Sequence, residues 1–214
     1  MQIGKAEVVS IFGSVLTSVT EGADRLTELD SVLGDGDLGL TMQNGFRTIC
    51  DFMAANEASL NLSSLIIQAG FAMAEKVPST MGTLVSIGIV KAGKAAQGFE
   101  SIDENVAGAM LKAAADGIAA RGKAKRGEKT ILDALYPASE AFSSAFEAGE
   151  DFAACSAAAA EVGEKAAVET SRLKSIYGKA AVYGEDSIGK QDPGATAAAI
   201  ILKGISGWFS STKH

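Results

Sequence analysis

The stretch "LDSVLGDGDLGLTM", residues 29 to 42, places three carboxylates, Asp30, Asp35 and Asp37, within eight positions and threads them with Gly34, Gly36 and Gly39. Glycine lets the backbone bend sharply, through positive φ where needed, so the three side chains can converge. Converged carboxylates resist ionisation, because like charges disfavour one another. A hard divalent cation removes that penalty, and Mg²⁺ takes oxygen ligands and commonly shares its site with substrate phosphates. Three carboxylates suit one or two such ions with coordination positions left for phosphate oxygens. The competing reading is a polar turn in which Asp35 or Asp37 caps the following helix. A calcium EF-hand is excluded, because the glutamate at loop position twelve is missing.

Four further stretches suit an anion. "VPSTMGTL" sets small and hydroxyl residues at a helix start, where free amides and the helix dipole favour phosphate. "RGKAKRGEKT" joins two helices with lysines, arginines and glycines. "YGKAAVYGEDSIGKQDPGAT" is a glycine-punctuated connection of unusual length for a helical protein, and it ends in "DPGAT", a second candidate helix start. Each alone is more often an ordinary cap or a solvated turn. Together with the aspartates they describe a magnesium–nucleotide site, provided the fold gathers them at one end.

Apolar periodicity supplies such a fold. A first helix spans residues 5 to 29 on Val8, Phe12, Val15, Val19 and Leu26, and the aspartate loop follows near Asp30. A second runs from about Leu38 to Ala55, and a third covers "SLNLSSLIIQAGFAMAEK" and stops before Pro78. Ser79 or Thr80 caps a fourth. Ser101 and Glu104 form a capping box that opens a fifth, through about Arg121. A sixth runs from about Thr130 to Ala148 with Pro137 kinking it, and an alanine-rich seventh extends from Asp151 towards Tyr177. In the last, Asp192 is the N-cap and Pro193 the first helical residue. The expectation is an all-α fold, an eight-helix antiparallel bundle or barrel forming a single domain over 1–214. Alternate connections of an antiparallel bundle share one end, which is where the candidate stretches fall.

Composition removes other classes. The formal net charge of −7 over 214 residues argues against a nucleic-acid partner. Glycine or charge interrupts each apolar run well short of a membrane span, and the start "MQIGKAEVVS" lacks a secretory pattern, so the expected compartment is the cytoplasm. Cys50 and Cys155 have no metal-ligand spacing and read as buried, reduced thiols. The only histidine is the last residue, His214. Imidazole general-base chemistry is therefore unavailable within this chain, and carboxylates, lysines, hydroxyls, backbone amides or a metal must act instead.

The chain resembles the nucleotide-binding L subunit (DhaL) of dihydroxyacetone kinases over nearly its whole length. The resemblance rests on "ELDSVLGDGDLGLTM", "ADGIAARGKAKRGEKTILDALYPASEA" and "YGKAAVYGEDSIGKQDPGAT", in that order and separation. It implies an eight-helix barrel binding ADP or ATP at one end, with Asp30, Asp35 and Asp37 holding two Mg²⁺ ions against the phosphates. It places nucleotide contacts at Gly39, Thr41, Thr80, Met81, Gly122, Ile131, Lys179, Asp192 and Pro193. It further implies a K-type partner subunit that holds the sugar through its own histidine. One of the family's two phosphate routes adds a phosphotransferase-system M subunit, which recharges a tightly held ADP coenzyme; the other uses exchangeable ATP.

Two departures touch the nucleotide positions. Leu38 stands where the family usually has histidine, with Thr41 in place of an asparagine, and "PSTMGTL" replaces a glycine-rich "GGASGPL". They imply a divergent branch acting on a related small ketose such as a tetrulose. The alternative from another class is a non-catalytic interaction module, a helical barrel that holds a nucleotide or a lipid.

Overall fold

The buried stripe of the first helix runs Val8, Val15, Val19, Leu26, Leu29 and Leu33, so helix α1 extends over Lys5–Leu33. This is one turn beyond the expected end, because Leu33 still falls on the buried face. Asp30 therefore lies in the last turn of α1 rather than in the connection. The computed structural model describes residues 1–211. His214 lies outside the described residues.

Seven more helices follow: α2 (Leu38–Asn56), α3 (Leu62–Lys76), α4 (Thr80–Ala95), α5 (Glu104–Gly122), α6 (Leu132–Glu147), α7 (Phe152–Glu169) and α8 (Pro193–Ser211). Each helix packs on its neighbours in sequence, and α8 closes the ring on α1. The all-α barrel expected from periodicity is the observed architecture, with a single antiparallel bridge, Ile3 to Ile102, as the one extended pairing among the described residues. Every helix contributes to an apolar cavity of about 240 Å³ inside the ring, walled by residues such as Phe12, Phe46, Ile89, Leu111, Phe142 and Ile205.

The connections 34–37, 77–79, 123–131 and 170–192 alternate with the remaining ones and gather at one end of the barrel. At the opposite end Ile3 pairs with Ile102, and Lys5 Nζ donates to Leu60 O at 2.9 Å. No helix among the described residues is long and apolar enough to cross a membrane.

Several expected boundaries move for identifiable reasons. Ser101 does not cap α5, because the Ile3–Ile102 bridge holds that segment extended; Asp103 caps it instead, its Oδ1 accepting from Val106 N at 2.8 Å. Helix α7 stops at Glu169, far short of Tyr177. Thr170 is buried there, closes a tight 3₁₀ turn (Thr170–Arg172) and accepts from Asp192 N at 2.8 Å, which turns the chain towards α8. The glycine-punctuated connection is not structureless either: Lys179–Ser187 forms 3₁₀ turns broken at Gly184. Helix α6 runs uninterrupted through Pro137, beginning at Leu132 rather than Thr130. Cys155 is buried as expected, but Cys50 is only half-buried; both thiols are free.

Candidate functional site

The aspartate motif folds as the end of one helix, a four-residue turn and the start of the next. Gly36 supplies the turn's left-handed residue, at φ 73°. Asp30, from the last turn of α1, reaches across it, and its Oδ2 accepts from the backbone N–H of Asp37 at 3.1 Å and of Leu38 at 3.3 Å. A carboxylate from the preceding helix thus serves the open amides at the start of α2. Neither Asp35 nor Asp37 caps α2: Asp37 is the N-cap residue by position, but its side chain makes no cap hydrogen bond. The polar-turn reading therefore leaves Asp35 and Asp37 without a structural task on α2.

The three carboxylates each offer an oxygen within 4.8 Å of the others, with Asp35 and Asp37 exposed and Asp30 half-buried. Burial pushes the Asp30 carboxyl up, the amides of Leu38 and Asp37 pull it down, and the charges of Asp35 and Asp37 push it up further. Lys179 forms an ion pair with Asp35 across 144 residues of sequence. That hydrogen bond holds Asp35 below its ordinary value and raises Lys179, with the charges of Asp37 and Asp30 also acting on the lysine. A hard all-oxygen donor set, open on one side and already attracting a cation, fits magnesium.

Beside this cluster lies a cleft of about 520 Å³ between the starts of α4 and α6 and the end of α5. Thr80, Gly122 and Ile131, three of the expected contact residues, line it together with Arg121 and Tyr177. Gly178 also lines it, and the next residue is Lys179, so the cleft and the acid cluster share one rim. Met81, Ile131 and Asp192 meet at Gly194. A methyl group added to that glycine would lie 2.7 Å from Met81 Cε, 3.1 Å from Asp192 Oδ2 and 3.4 Å from Ile131 N.

Asp192 caps α8, its Oδ2 accepting from Ala195 N at 2.7 Å, and Pro193 is the first residue of that helix, as expected. Asp192 is buried, and burial pushes its carboxyl up to about 7; the Ala195 amide and Lys129 work against the shift, and Asp133 works with it. Thr41 is buried in α2.

Gly39 lies in the first turn of α2 and packs on α1. Its α-carbon faces α1, where an added Cβ would lie 2.2 Å from Ala23 O and 2.4 Å from Thr27 Oγ1. The glycine is required by this helix contact. The basic run also divides: Arg121 lines the cleft, Arg126 pairs with Glu140 at 3.0 Å, and Lys129 turns into the interior. Sequence reasoning missed Arg121 and Tyr177 as cleft residues. Arg121 lies in the last turn of α5, and Tyr177 is brought there by a contact distant in sequence, its hydroxyl donating to Lys123 O at 2.8 Å across 54 residues.

The sequence and the fold both match known proteins. The DAK2 domain matches residues 32–207. The chain is 29% identical over 203 residues to the "PEP-dependent dihydroxyacetone kinase, ADP-binding subunit DhaL" of Escherichia coli (strain K12), covering 95% of this chain and 96% of that protein. It is 32% identical over 184 residues to the corresponding subunit 1 of Listeria innocua, covering 86% of each. Against the L-erythrulose 1-kinase of Mycolicibacterium smegmatis it is 31% identical over 92% of this chain, which spans 34% of that longer protein. The crystal structure of the dihydroxyacetone kinase of C. freundii in its native form superposes with a TM-score of 0.71 at 26% identity, over 94% of this chain and 34% of that one. The chain belongs to the DAK2-domain family, together with the DhaL subunits of dihydroxyacetone kinases.

Proposed function

We propose that this chain is the magnesium–nucleotide component of a small-ketose kinase. The observation that carries the reading is the convergence of Asp30, Asp35 and Asp37 within 4.8 Å on the rim of a 520 Å³ cleft. In this reading the three aspartates hold two Mg²⁺ ions. Thr80, Met81, Gly122 and Ile131 seat the nucleoside, and Lys179 answers the phosphates. Gly39 and Thr41 contribute from the first turns of α2, and Asp192 and Pro193 present the start of α8. Bound magnesium supplies charge neutralisation on the transferring phosphoryl group.

The chain's own part is alignment, which is most of what phosphoryl transfer asks of a protein. The starts of α2, α4 and α8 turn their amides towards one end of the barrel, where they favour anions. Asp30 keeps α2 in register with α1. Lys179 neutralises the cluster from the side facing solvent. The chain has no internal histidine, which suits an acceptor sugar presented by a K-type partner docking at that end.

Dihydroxyacetone is the acceptor named for the DhaL relatives, and erythrulose for several of the longer ones. A three- or four-carbon ketose is therefore the substrate class, in the cytoplasm. Phosphate arrives either from exchangeable ATP or through an M-type subunit that recharges bound ADP; retention of ADP through dialysis separates the two routes. A coupled assay with the purified K-type partner, Mg-ATP and a panel of small ketoses tests the reading. Turnover with dihydroxyacetone or erythrulose supports it, and no turnover together with no binding of Mg-ADP refutes it.

The interior cavity favours a second reading, a barrel that holds an apolar chain, since its walls are almost wholly apolar. Mass spectrometry of the native protein separates the two, an acyl-chain adduct supporting the second.

A further inference from the structure

The connection between α7 and α8 carries Tyr177, Gly178 and Lys179, the residues that reach the cleft and the acid cluster. Apart from its 3₁₀ turns it has no regular structure, and most of it is exposed, so its position depends on how its ends are held. Those ends are drawn together. Gly189 N donates to Ser171 O at 2.7 Å, and Ser175 N donates to Ser187 Oγ at 2.9 Å. Across this junction lies the ammonium of Lys129, from the α5–α6 connection. Its Nζ donates to Leu173 O at 3.1 Å and to Ser187 O at 2.5 Å. One buried cation thus bonds both ends of the segment that carries Lys179.

The placement is unfavourable on local grounds. Lys129 retains 3% of its exposure and sits at φ 57°, a left-handed conformation in which a side chain costs energy. Burial also lowers its pKa, with only Asp192 opposing. In return the ammonium satisfies two carbonyls at the base of the loop. The same α5–α6 connection seats the loop twice more, through Ile176 N to Glu128 O at 3.4 Å and Tyr177 Oη to Lys123 O at 2.8 Å.

We propose that Lys129 is a positioning residue of the nucleotide site: by joining Leu173 to Ser187 it closes the 173–187 loop and sets Lys179 against the acid cluster. The binding consequence rests on the nucleotide reading above; the closure of the loop does not. The test uses the full chain with Lys129→Met, which keeps the length and removes the charge, and Lys129→Gln, which removes the charge but keeps an N–H donor for the two carbonyls. Circular dichroism confirms folding, hydrogen exchange by mass spectrometry reads the loop, and calorimetry reads Mg-ADP.

In Lys129→Met, amides in 173–189 exchange about tenfold faster or more while those of α1 to α4 keep the wild-type rate. Mg-ADP binds about tenfold more weakly, near 1.4 kcal/mol. Adding Lys129→Met to Lys179→Ala brings no further loss of affinity, because both changes remove the same cation from the cluster. Lys129→Gln shows the same pattern, reduced, and decides the matter alone if Lys129→Met does not fold. Wild-type exchange in 173–189, uniform acceleration over the whole barrel, or additive losses in the double variant would overturn the proposal. If the wild-type protein takes up no Mg-ADP, the nucleotide reading fails, and the exchange pattern still judges the tie.

Discussion

Replacing Gly39 by alanine puts one methyl group into the contact that aligns the two helices bearing the aspartates. The added Cβ would lie 2.2 Å from the carbonyl oxygen of Ala23, where such carbons are not found closer than 3.0 Å. The start of α2 must therefore retreat from α1 by about 0.8 Å, a figure of the overpacking kind that costs about 1–3 kcal/mol. The retreat also stretches the bonds from Asp37 N and Leu38 N to Asp30, already 3.1 and 3.3 Å long, beyond useful length. Bonds to a charged acceptor contribute about 1.5–3 kcal/mol each at best, so partial loss of two brings the total to about 3 kcal/mol. Urea denaturation of Gly39→Ala should show that loss, and Mg-ADP affinity should fall at least about tenfold as Asp30 and Asp37 separate. The control is Gly13→Ala in the middle of α1, where an added Cβ meets nothing within 4 Å. Helix propensity predicts that it stabilises by up to about 1 kcal/mol. A Gly39→Ala protein within about 0.5 kcal/mol of wild type, the noise expected of a surface change, would refute the packing argument.

Two substitutions separate the capping part of Asp30 from its proposed metal part: Asp30→Ala removes the acceptor for the Asp37 and Leu38 amides and should cost about 2 kcal/mol, whereas Asp30→Asn keeps an acceptor oxygen and relieves charge crowding. Asp30→Asn should therefore melt at or above wild type yet lose Mg²⁺ binding, and equal melting losses in both would contradict the assignment. Asp192 makes stability fall with rising pH. Its carboxyl titrates at about 7 when folded, against an ordinary 3.8, so the unfolded chain releases the proton first. The contribution is fully present below about pH 4 and gone above about pH 7. Asp192→Asn keeps an oxygen for the Ala195 amide, and its stability relative to wild type should rise by about 4 kcal/mol across that window. Parallel stability–pH curves would exclude the buried titration.

Much of this was legible from local signals. Ser79 caps α4 by accepting from Gly82 N at 3.0 Å, and Asp192 and Pro193 open α8, because helix starts are written in a few adjacent residues. The acid cluster was legible for the same reason: its members lie within one helix end and one turn. What escaped were features whose cause is distant in sequence. The end of α7 is fixed by Thr170 reaching Asp192, the start of α5 by the pairing of Ile102 with Ile3, and the role of Gly39 by α1 behind it. Lys129 looked like one charge in a solvated basic run, and only the folded chain brings Leu173 and Ser187 to its ammonium. Its neighbour Arg126 carries the same charge and pairs at the surface with Glu140, so residue type alone could not divide the run.

If the aspartates cluster to hold divalent metal against a nucleotide's phosphates, ADP binding must depend on magnesium and on all three carboxylates. Calorimetric titration of ADP into the protein, once with Mg²⁺ and once with the metal chelated, tests it most directly, with Asp35→Ala alongside. Saturable binding is expected with magnesium, none on chelation, and none in Asp35→Ala under either condition. ADP binding of equal affinity with and without the metal, or unaltered in Asp35→Ala, would contradict it.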